Sequence, residues 1–389
     1  MLFLLGWAAT LTAQWVTTVV VLAFLAPWGW IVLRQPSSVF RGALQNWGLL
    51  VLPLMAMASF VWSDYSSASL RGGTQYMATV IVGILIGYCI KPRLFMSALL
   101  CSLVSLSLLS LVAGTGAYSS FTGGYTFVGV FGSKNYFAVC MSFLLLTANA
   151  VVFDRRQPFI FRVVGVLGAL LAVPLLFYAR SVGALVVSIM TMATSLLLRM
   201  AMRLAPRPRA AFLMLIFLSA ITIFMLAAFD LDLAGILGSL GKDVTLSGRV
   251  LLWQEAMTSI SDHPLLGVGY DAFWQVGNWG AEELWHYSYI PNKSGYNFHN
   301  TYFQVGVDLG LIGLSVFVGM LILIAGRIVV LSVTSALSTD QMFAASIFVF
   351  LLLRTPLEVD LFFQFQIASI LIGVVWVYLQ PKPSKAYAS

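Results

Sequence analysis

Apolar residues fall along this chain in long runs separated by short polar connectors, near positions 5–33, 43–61, 76–90, 94–113, 135–153, 160–178, 182–199, 210–228, 302–326, 341–355 and 362–379. A helix needs about 20 apolar residues to cross a bilayer, so the pattern predicts eleven membrane-spanning helices. The first run is long and contains Pro27, so it is either one tilted helix or a broken pair, which sets the count at 11–12. Residues of about 229–300 break the rhythm, because a polar insertion of roughly 70 residues is far longer than a connector requires. The chain therefore reads as an N-terminal transmembrane bundle over 1–228, an extramembrane loop over 229–300, and C-terminal transmembrane helices with a short tail over 301–389. Together these form one integrated membrane domain. The N-terminal run lacks the charged start and small-residue cleavage site of a secretory peptide.

Composition agrees with this layout. Apolar residues make up 60% of the chain and charged ones 9%, against about 25% charged in an average globular protein. No polar shell of that size covers so much apolar surface, so lipid must solvate it. The three cysteines, Cys89, Cys101 and Cys140, all lie in apolar runs and offer neither a disulfide framework nor zinc spacing.

Charge gives the expected orientation, because Lys and Arg accumulate in cytoplasmic loops. One alternating set of loops holds fourteen of the 21 basic residues, among them Arg41, Lys91, Arg93, Arg155, Arg156, Arg203 and Arg327. The other holds seven: Arg71, Lys134, Arg180, Lys242, Arg249, Lys293 and Arg354. The richer set is placed inside, so the tail after Tyr378 is cytoplasmic and the 229–300 loop is outside. Inside loops facing anionic lipid account for the net charge of +7. Nucleic acid is not needed as a partner.

The outer loop carries all three histidines and eight of the fourteen acids. Within it, Leu246 to Asp262 reads as an amphipathic helix, with Val250, Trp253, Met257 and Ile260 on one face and Gln254, Glu255, Thr258 and Ser261 opposite. Ser247 is its expected cap and Pro264 its stop. Arg249 falls in the first turn, where the helix dipole favours an anion. Either an anionic ligand such as a diphosphate or a nearby acid such as Asp243 relieves that conflict. Two glycines in Pro264-Leu-Leu-Gly267-Val-Gly269 permit a tight turn. The loop ends in Tyr296-Asn297-Phe298-His299-Asn300-Thr301-Tyr302, which leads into a span. His299, at that mouth, is either a general base for a hydroxyl acceptor or a capping interfacial histidine. His263 and His286 read as surface residues. No H-E-x-x-H spacing supports a metal hydrolase, and no metal or cofactor is implied.

In the next span, Thr301, Gln304 and Asp308 share a face, with Asp308 about 13 Å below His299. A carboxylate at that depth is either functional or satisfies a polar neighbour. Gly306 and Gly310 read as a small-xxx-small packing face. Arg71, Lys134, Arg180 and Arg354 lie at span mouths and, with Arg249, suggest a basic pocket for a phosphorylated lipid. The alternative is pairing with Asp64, Glu358 or lipid phosphate. No Walker loop, dinucleotide fingerprint or Ser-His-Asp spacing appears.

Taken together, Ser247-Gly-Arg249 with Trp253, Pro264-Leu-Leu-Gly267-Val-Gly269, and His299-Asn300-Thr-Tyr302 with Gly310-Leu-Ile-Gly313 resemble the signature of the O-antigen ligase and polysaccharide polymerase superfamily, the Wzy C-terminal family. The resemblance covers chiefly 180–320, and Trp62-Ser63 with Arg71 extends it upstream. It implies an all-α, polytopic, GT-C-like fold in the bacterial inner membrane. The implied activity is metal-independent, inverting transfer of an oligosaccharide from undecaprenyl diphosphate to an acceptor hydroxyl at the periplasmic face. Carried over, the family's base-like histidine falls on His299 and its diphosphate-binding arginines on Arg249 and Arg180. The family's usual Ser-Arg-Gly-Ala is here Ala179-Arg180-Ser181-Val182-Gly183-Ala184. Trp253, Asn300, Arg71, Lys134, Asn135 and Arg354 are the expected substrate contacts.

Phe131-Gly-Ser-Lys134-Asn135 is similar to a motif of ExoQ-type exopolysaccharide polymerases, whose acceptor is another lipid-linked repeat. This favours a polymerase over a ligase that uses lipid A-core. Chain-length regulators or export proteins are the protein partners such a role implies. A lipid-oligosaccharide flippase is the non-enzymatic alternative, but paired inverted repeats, its usual mark, are not visible in the two halves.

Overall fold

The computed structural model describes residues 18–34, 36–119, 124–215, 248–293 and 295–380. Over its described part, the first apolar run is a single helix, α1 (Thr18–Arg34), with Pro27 inside it. The second run does not form one span. Helix α2 (Pro36–Gln45) is followed by a 3-10 turn at Trp47–Leu49, α3 (Val51–Ala58) and a second 3-10 turn at Ser59–Val61. The axis bends by 73° between Val39–Gln45 and Trp47–Val61. Asn46 sits at the bend and donates its side-chain amide to the Gly42 carbonyl at 2.7 Å, a local bond that competes with helix continuation.

Hydropathy works best in the middle of the chain. Helices α4 (Ser66–Cys89), α5 (Pro92–Ala113), α6 (Lys134–Phe153), α7 (Phe159–Tyr178) and α8 (Val182–Ala201) match the expected runs within a few residues, except that α4 begins ten residues before its run. Each boundary has a local cause. Pro92 occupies the first turn of α5, where a missing N–H costs nothing. Ser133 caps α6 by accepting from Tyr136 N. Between α5 and α6 the chain forms an antiparallel hairpin, β1 (Gly116–Ser119) with β2 (Gly124–Phe127), pairing Gly116 with Phe127. Among the described residues the fold is mostly helical, in keeping with an all-α membrane protein, and this small strand pair is its only sheet.

The outer segment forms α9 (Arg249–Asp262) and α10 (Trp279–Tyr287), and the C-terminal part forms α11 (Thr301–Thr334), α12 (Thr339–Arg354) and α13 (Ile367–Tyr378). Among the described residues six helices, α4 to α8 and α11, are long and apolar enough to cross a membrane, or seven spans if the bent pair is one. The count of eleven is not tested over runs 5–33 and 210–228, which fall partly outside the described residues. The run at 362–379 is helical only from Ile367, so α13 covers about 18 Å at 1.5 Å per residue, short of a ~30 Å hydrocarbon core.

Helix α13 is buried on nearly every side, packed against α4 and α12. Gly83 of α4 and Gly373 of α13 meet backbone to backbone, and a Cβ on Gly83 would lie 2.3 Å from the Ile370 carbonyl oxygen. Leu167, Leu170 and Val173 on the outer face of α7 are exposed, as lipid-facing residues should be. Backbone without helical order beside membrane helices is tolerated where protein buries it. Residues 355–366, between α12 and α13, are such a segment.

The two ends of the bundle differ in charge. One end gathers Lys91, Arg93, Arg155 and Arg156 around an open cleft with Asp154 and Asp340. The other gathers the starts of α6, α9 and α11 and the end of α12, and the site lies there.

Candidate active site

Helix α9 begins at Arg249, after Gly248 as its cap; Ser247, Leu246 and Asp243 lie outside the described residues. Its buried stripe is Leu252, Ala256 and Ser259, a correction to the expected face, since Val250 and Met257 are exposed at 41% and 53%. The helix has apolar residues on two sides, and Trp253 and Ile260 meet α11 at Phe303 and Gly306. Beneath it Phe273, Trp274, Trp285 and Phe298 form one aromatic cluster, with the Phe273 and Phe298 rings 4.9 Å apart. This cluster folds the outer segment down onto the bundle.

His299 closes that segment in the left-handed region, at φ 48°. Asn297 Oδ1 accepts its backbone N–H at 2.7 Å. Trp253 stacks on Phe303 and donates its indole N–H to the Phe298 carbonyl at 3.0 Å. Asn300 is the α11 cap, accepting from Tyr302 N and Phe303 N and donating to the Pro356 carbonyl at 3.3 Å. These local bonds fix the ring, whose Nδ1 lies 2.8 Å from Glu358 Oε2. An ionised carboxylate only accepts, so Nδ1 carries the proton and Nε2 of the neutral ring is left as the basic nitrogen.

Glu358 is the centre of the arrangement. Its Oε1 accepts from Arg249 Nη2 at 2.7 Å and from Asn135 Nδ2 at 2.7 Å. Arg249 and His299, 50 residues apart in sequence, are therefore separated in space by one carboxyl group. Burial by itself would push this carboxyl up, but the charges of His299, Arg249 and Arg354 and the His299 hydrogen bond outweigh it and hold Glu358 at about 2. Burial also dominates at Asp360, which is raised despite its ion pair with Arg354.

A second feature supports the site from below. In an unbroken α11 the carbonyls of Val307 and Asp308 would accept from Leu311 N and Ile312 N. Here Val268 N and Gly269 N donate to those carbonyls at 2.9 and 3.0 Å, while Leu311 N and Ile312 N donate to the Pro264 and Leu265 carbonyls at 2.8 and 3.2 Å. The 264–269 segment is thus inserted into the helix ladder, and every backbone group it opens is satisfied again. Gly310 sits at the break (φ 64°, ψ −169°), which corrects its reading as a helix-packing glycine; Gly306 does pack closely, against Ile260. Trp62 Nε1 bonds the Leu266 carbonyl at 3.1 Å, so Trp62, the Pro264–Gly269 segment and Gly310 interlock. Asp308 is satisfied by Gln304 Nε2 at 3.1 Å and Asp271 N at 3.4 Å, which supports its structural reading.

The remaining expected contacts divide in two. Asn135 lies in the site, its Oδ1 accepting from Ser181 Oγ at 3.2 Å. Lys134 lies within electrostatic reach of Glu358 and Arg249. Arg180 is exposed in the turn next to Ser181, at φ 49°, and among the described residues its guanidinium makes no hydrogen bond or ion pair. Arg71 faces Asp271 instead of Glu358. Trp253, Asn300 and Arg354 already have partners for their polar groups within the protein, and Arg354 is only 2% exposed against Asp360. His263 and His286 are exposed. Sequence reasoning named Glu358 only as a neutralising partner. Its one signal is an acid in a short outward loop between apolar runs.

Residues 167–318 match the protein family described as O-Antigen ligase. The chain is also 33% identical over 298 residues to the "Exopolysaccharide production protein ExoQ" of Rhizobium meliloti (strain 1021), an alignment that spans 76% of this chain and 68% of that protein. The matched family segment runs from α7 through the site helices into α11. This multi-pass membrane protein therefore belongs to the O-antigen ligase and ExoQ-like superfamily, with a role of the O-antigen ligase or polysaccharide polymerase type.

Proposed function

We propose that this protein is an inverting glycosyltransferase of the bacterial inner membrane that polymerises lipid-linked repeat units at the periplasmic face. The observation that carries this reading is the shared carboxylate, which brings a guanidinium and an imidazole within hydrogen-bond reach of one group. The donor is a glycan on undecaprenyl diphosphate and brings its own leaving group. The acceptor hydroxyl attacks the anomeric carbon opposite the diphosphate, and a new C–O bond forms. The old anomeric C–O bond breaks and its electron pair leaves on the diphosphate. The acceptor proton passes to Nε2 of His299. Arg249, Arg180 and Lys134 stabilise the developing negative charge, the term that dominates many transfer reactions. No metal is required in this scheme.

The relative's name, exopolysaccharide production, and the Phe131-Gly-Ser-Lys134-Asn135 motif favour the polymerase over the ligase. Purified full-length protein given only lipid-diphosphate repeat units should yield longer glycans on the same carrier. Reaction only after lipid A-core is added would identify a ligase, and vectorial movement of the lipid without a new glycosidic bond would identify a transporter. Arg249→Ala and His299→Ala should each lower turnover at least about 10²-fold at normal abundance in the membrane. Wild-type turnover by both would overturn the mechanism.

A further inference from the structure

We propose that Glu358 is the positioning residue of this site: it holds His299 in the tautomer that accepts the incoming proton, and it parks Arg249 until the donor diphosphate takes it. This inference rests on the roles proposed above for Arg249 and His299. The two carboxylate oxygens are divided between the two functions. Oε2 faces His299 Nδ1 at 2.8 Å, and Oε1 faces Arg249 Nη2 at 2.7 Å.

The mobile partner of this pair is Arg249. The Glu358 backbone is tied down, its N–H donating to the Arg354 carbonyl at 2.9 Å and its own carbonyl accepting from Thr301 Oγ1 at 2.7 Å. Arg249 instead reaches the carboxylate by one nitrogen at the end of a long side chain that is 22% exposed. Its planar fork is suited to two parallel bonds, which a diphosphate provides and the present geometry does not. When Arg249 turns to the donor, Asn135 Nδ2 stays on Oε1 at 2.7 Å, and Lys134 and Arg354 remain within electrostatic reach. The carboxylate is then still compensated and His299 keeps its orientation. Donor binding thus frees the clamp without disturbing the base.

The alternative is that Glu358 only neutralises neighbouring cations, and kinetics separate the two. Full-length protein should be assayed with lipid-diphosphate repeats as wild type, Glu358→Gln, Glu358→Asp, Arg249→Ala and His299→Ala. Glu358→Gln should lower kcat on the order of 10²-fold or more, with KM for the donor unchanged or lower, because no carboxylate competes for Arg249. Glu358 stabilises the imidazolium, so its removal should move the acidic limb of the kcat profile to lower pH. Lys134, Arg249, Arg354, Asp360 and Tyr296 also act on this carboxylate and remain in place. Glu358→Asp keeps the charge and should keep the limb, with kcat between the other two.

A kcat loss without movement of the limb, or a raised donor KM at wild-type kcat, would overturn the positioning role. If Glu358→Gln does not fold, Glu358→Asp decides: a limb displaced as far as that of an uncharged substitution such as Glu358→Ala counts against it. Activity in both Arg249→Ala and His299→Ala would remove the functional reading itself. Inactivity of those two beside wild-type kinetics in Glu358→Gln would remove only the role of Glu358.

Discussion

Asp271 follows Tyr270 in the loop after α9, at φ 59°, with its side chain against Gly72 of α4 and its N–H directed at Asp308 Oδ2, 3.4 Å away. Burial raises its carboxyl to about 6, and Arg71 pulls in the other direction without prevailing. A carboxyl raised in the folded state favours the protonated form. The stability it contributes is complete below the unfolded value near 3.8 and is lost as pH rises through about 6. The thermal midpoint in detergent should therefore fall between pH 5 and pH 7, and Asp271→Asn should flatten that slope and raise the midpoint at pH 7. Glu358 has the opposite sign: its contribution is present above 4.5 and lost only as pH falls through about 2, so it is constant over this window. An unchanged slope in Asp271→Asn would assign the dependence to another group.

At the scale of elements, the inserted segment is the feature most open to test. A Cβ on Gly310 would lie 2.3 Å from the Leu265 carbonyl oxygen, and one on Gly267 would lie 2.4 Å from that of Val307. Both residues also have positive φ, where side chains are strained. Gly310→Ala and Gly267→Ala should each cost about 2–4 kcal/mol or more, a size reserved for strain and overpacking. Gly319, further along the same helix, has open space at its Cβ, so Gly319→Ala should be neutral or stabilise by up to about 1 kcal/mol. Thermal unfolding of the three variants side by side checks the interlock. A Gly310→Ala variant as stable as Gly319→Ala would mean that the helix runs through unbroken.

For the whole molecule the open question is which end faces the cytoplasm. The end with Lys91, Arg93, Arg155 and Arg156 has more cations than acids around its cleft, whereas Arg249 and Arg354 at the other end are paired with Glu358 and Asp360. Unbalanced cations are retained inside, which is the ground for proposing that the site faces the periplasm. Single cysteines at exposed Glu283 and Arg156, in a chain lacking Cys89, Cys101 and Cys140, should separate the ends. An impermeant thiol reagent added to intact spheroplasts should label Glu283→Cys at once and Arg156→Cys only after lysis. The reverse pattern would invert the topology and move the proposed chemistry to the cytoplasm.

Sequence by itself determined the membrane class, helices α5 to α8 nearly to the residue and the gathering of cations at alternate ends, and it singled out Arg249 and His299 as candidates. These follow from local physics: run length, caps such as Ser133, Pro92 at a first turn, and charge beside apolar runs. Tertiary structure decided what contacts between distant segments create. Glu358 acquires its place only because residues 355–358 are tied to the start of α11, 109 residues beyond Arg249. Gly310 breaks its helix only because a segment from another part of the chain supplies the hydrogen bonds in exchange. Trp253, Asn300 and Arg354 carried the right chemistry for substrate, but packing had already committed their polar atoms. A side chain's type is written locally; whether its donors remain free depends on which distant carbonyl or carboxylate the fold brings beside it.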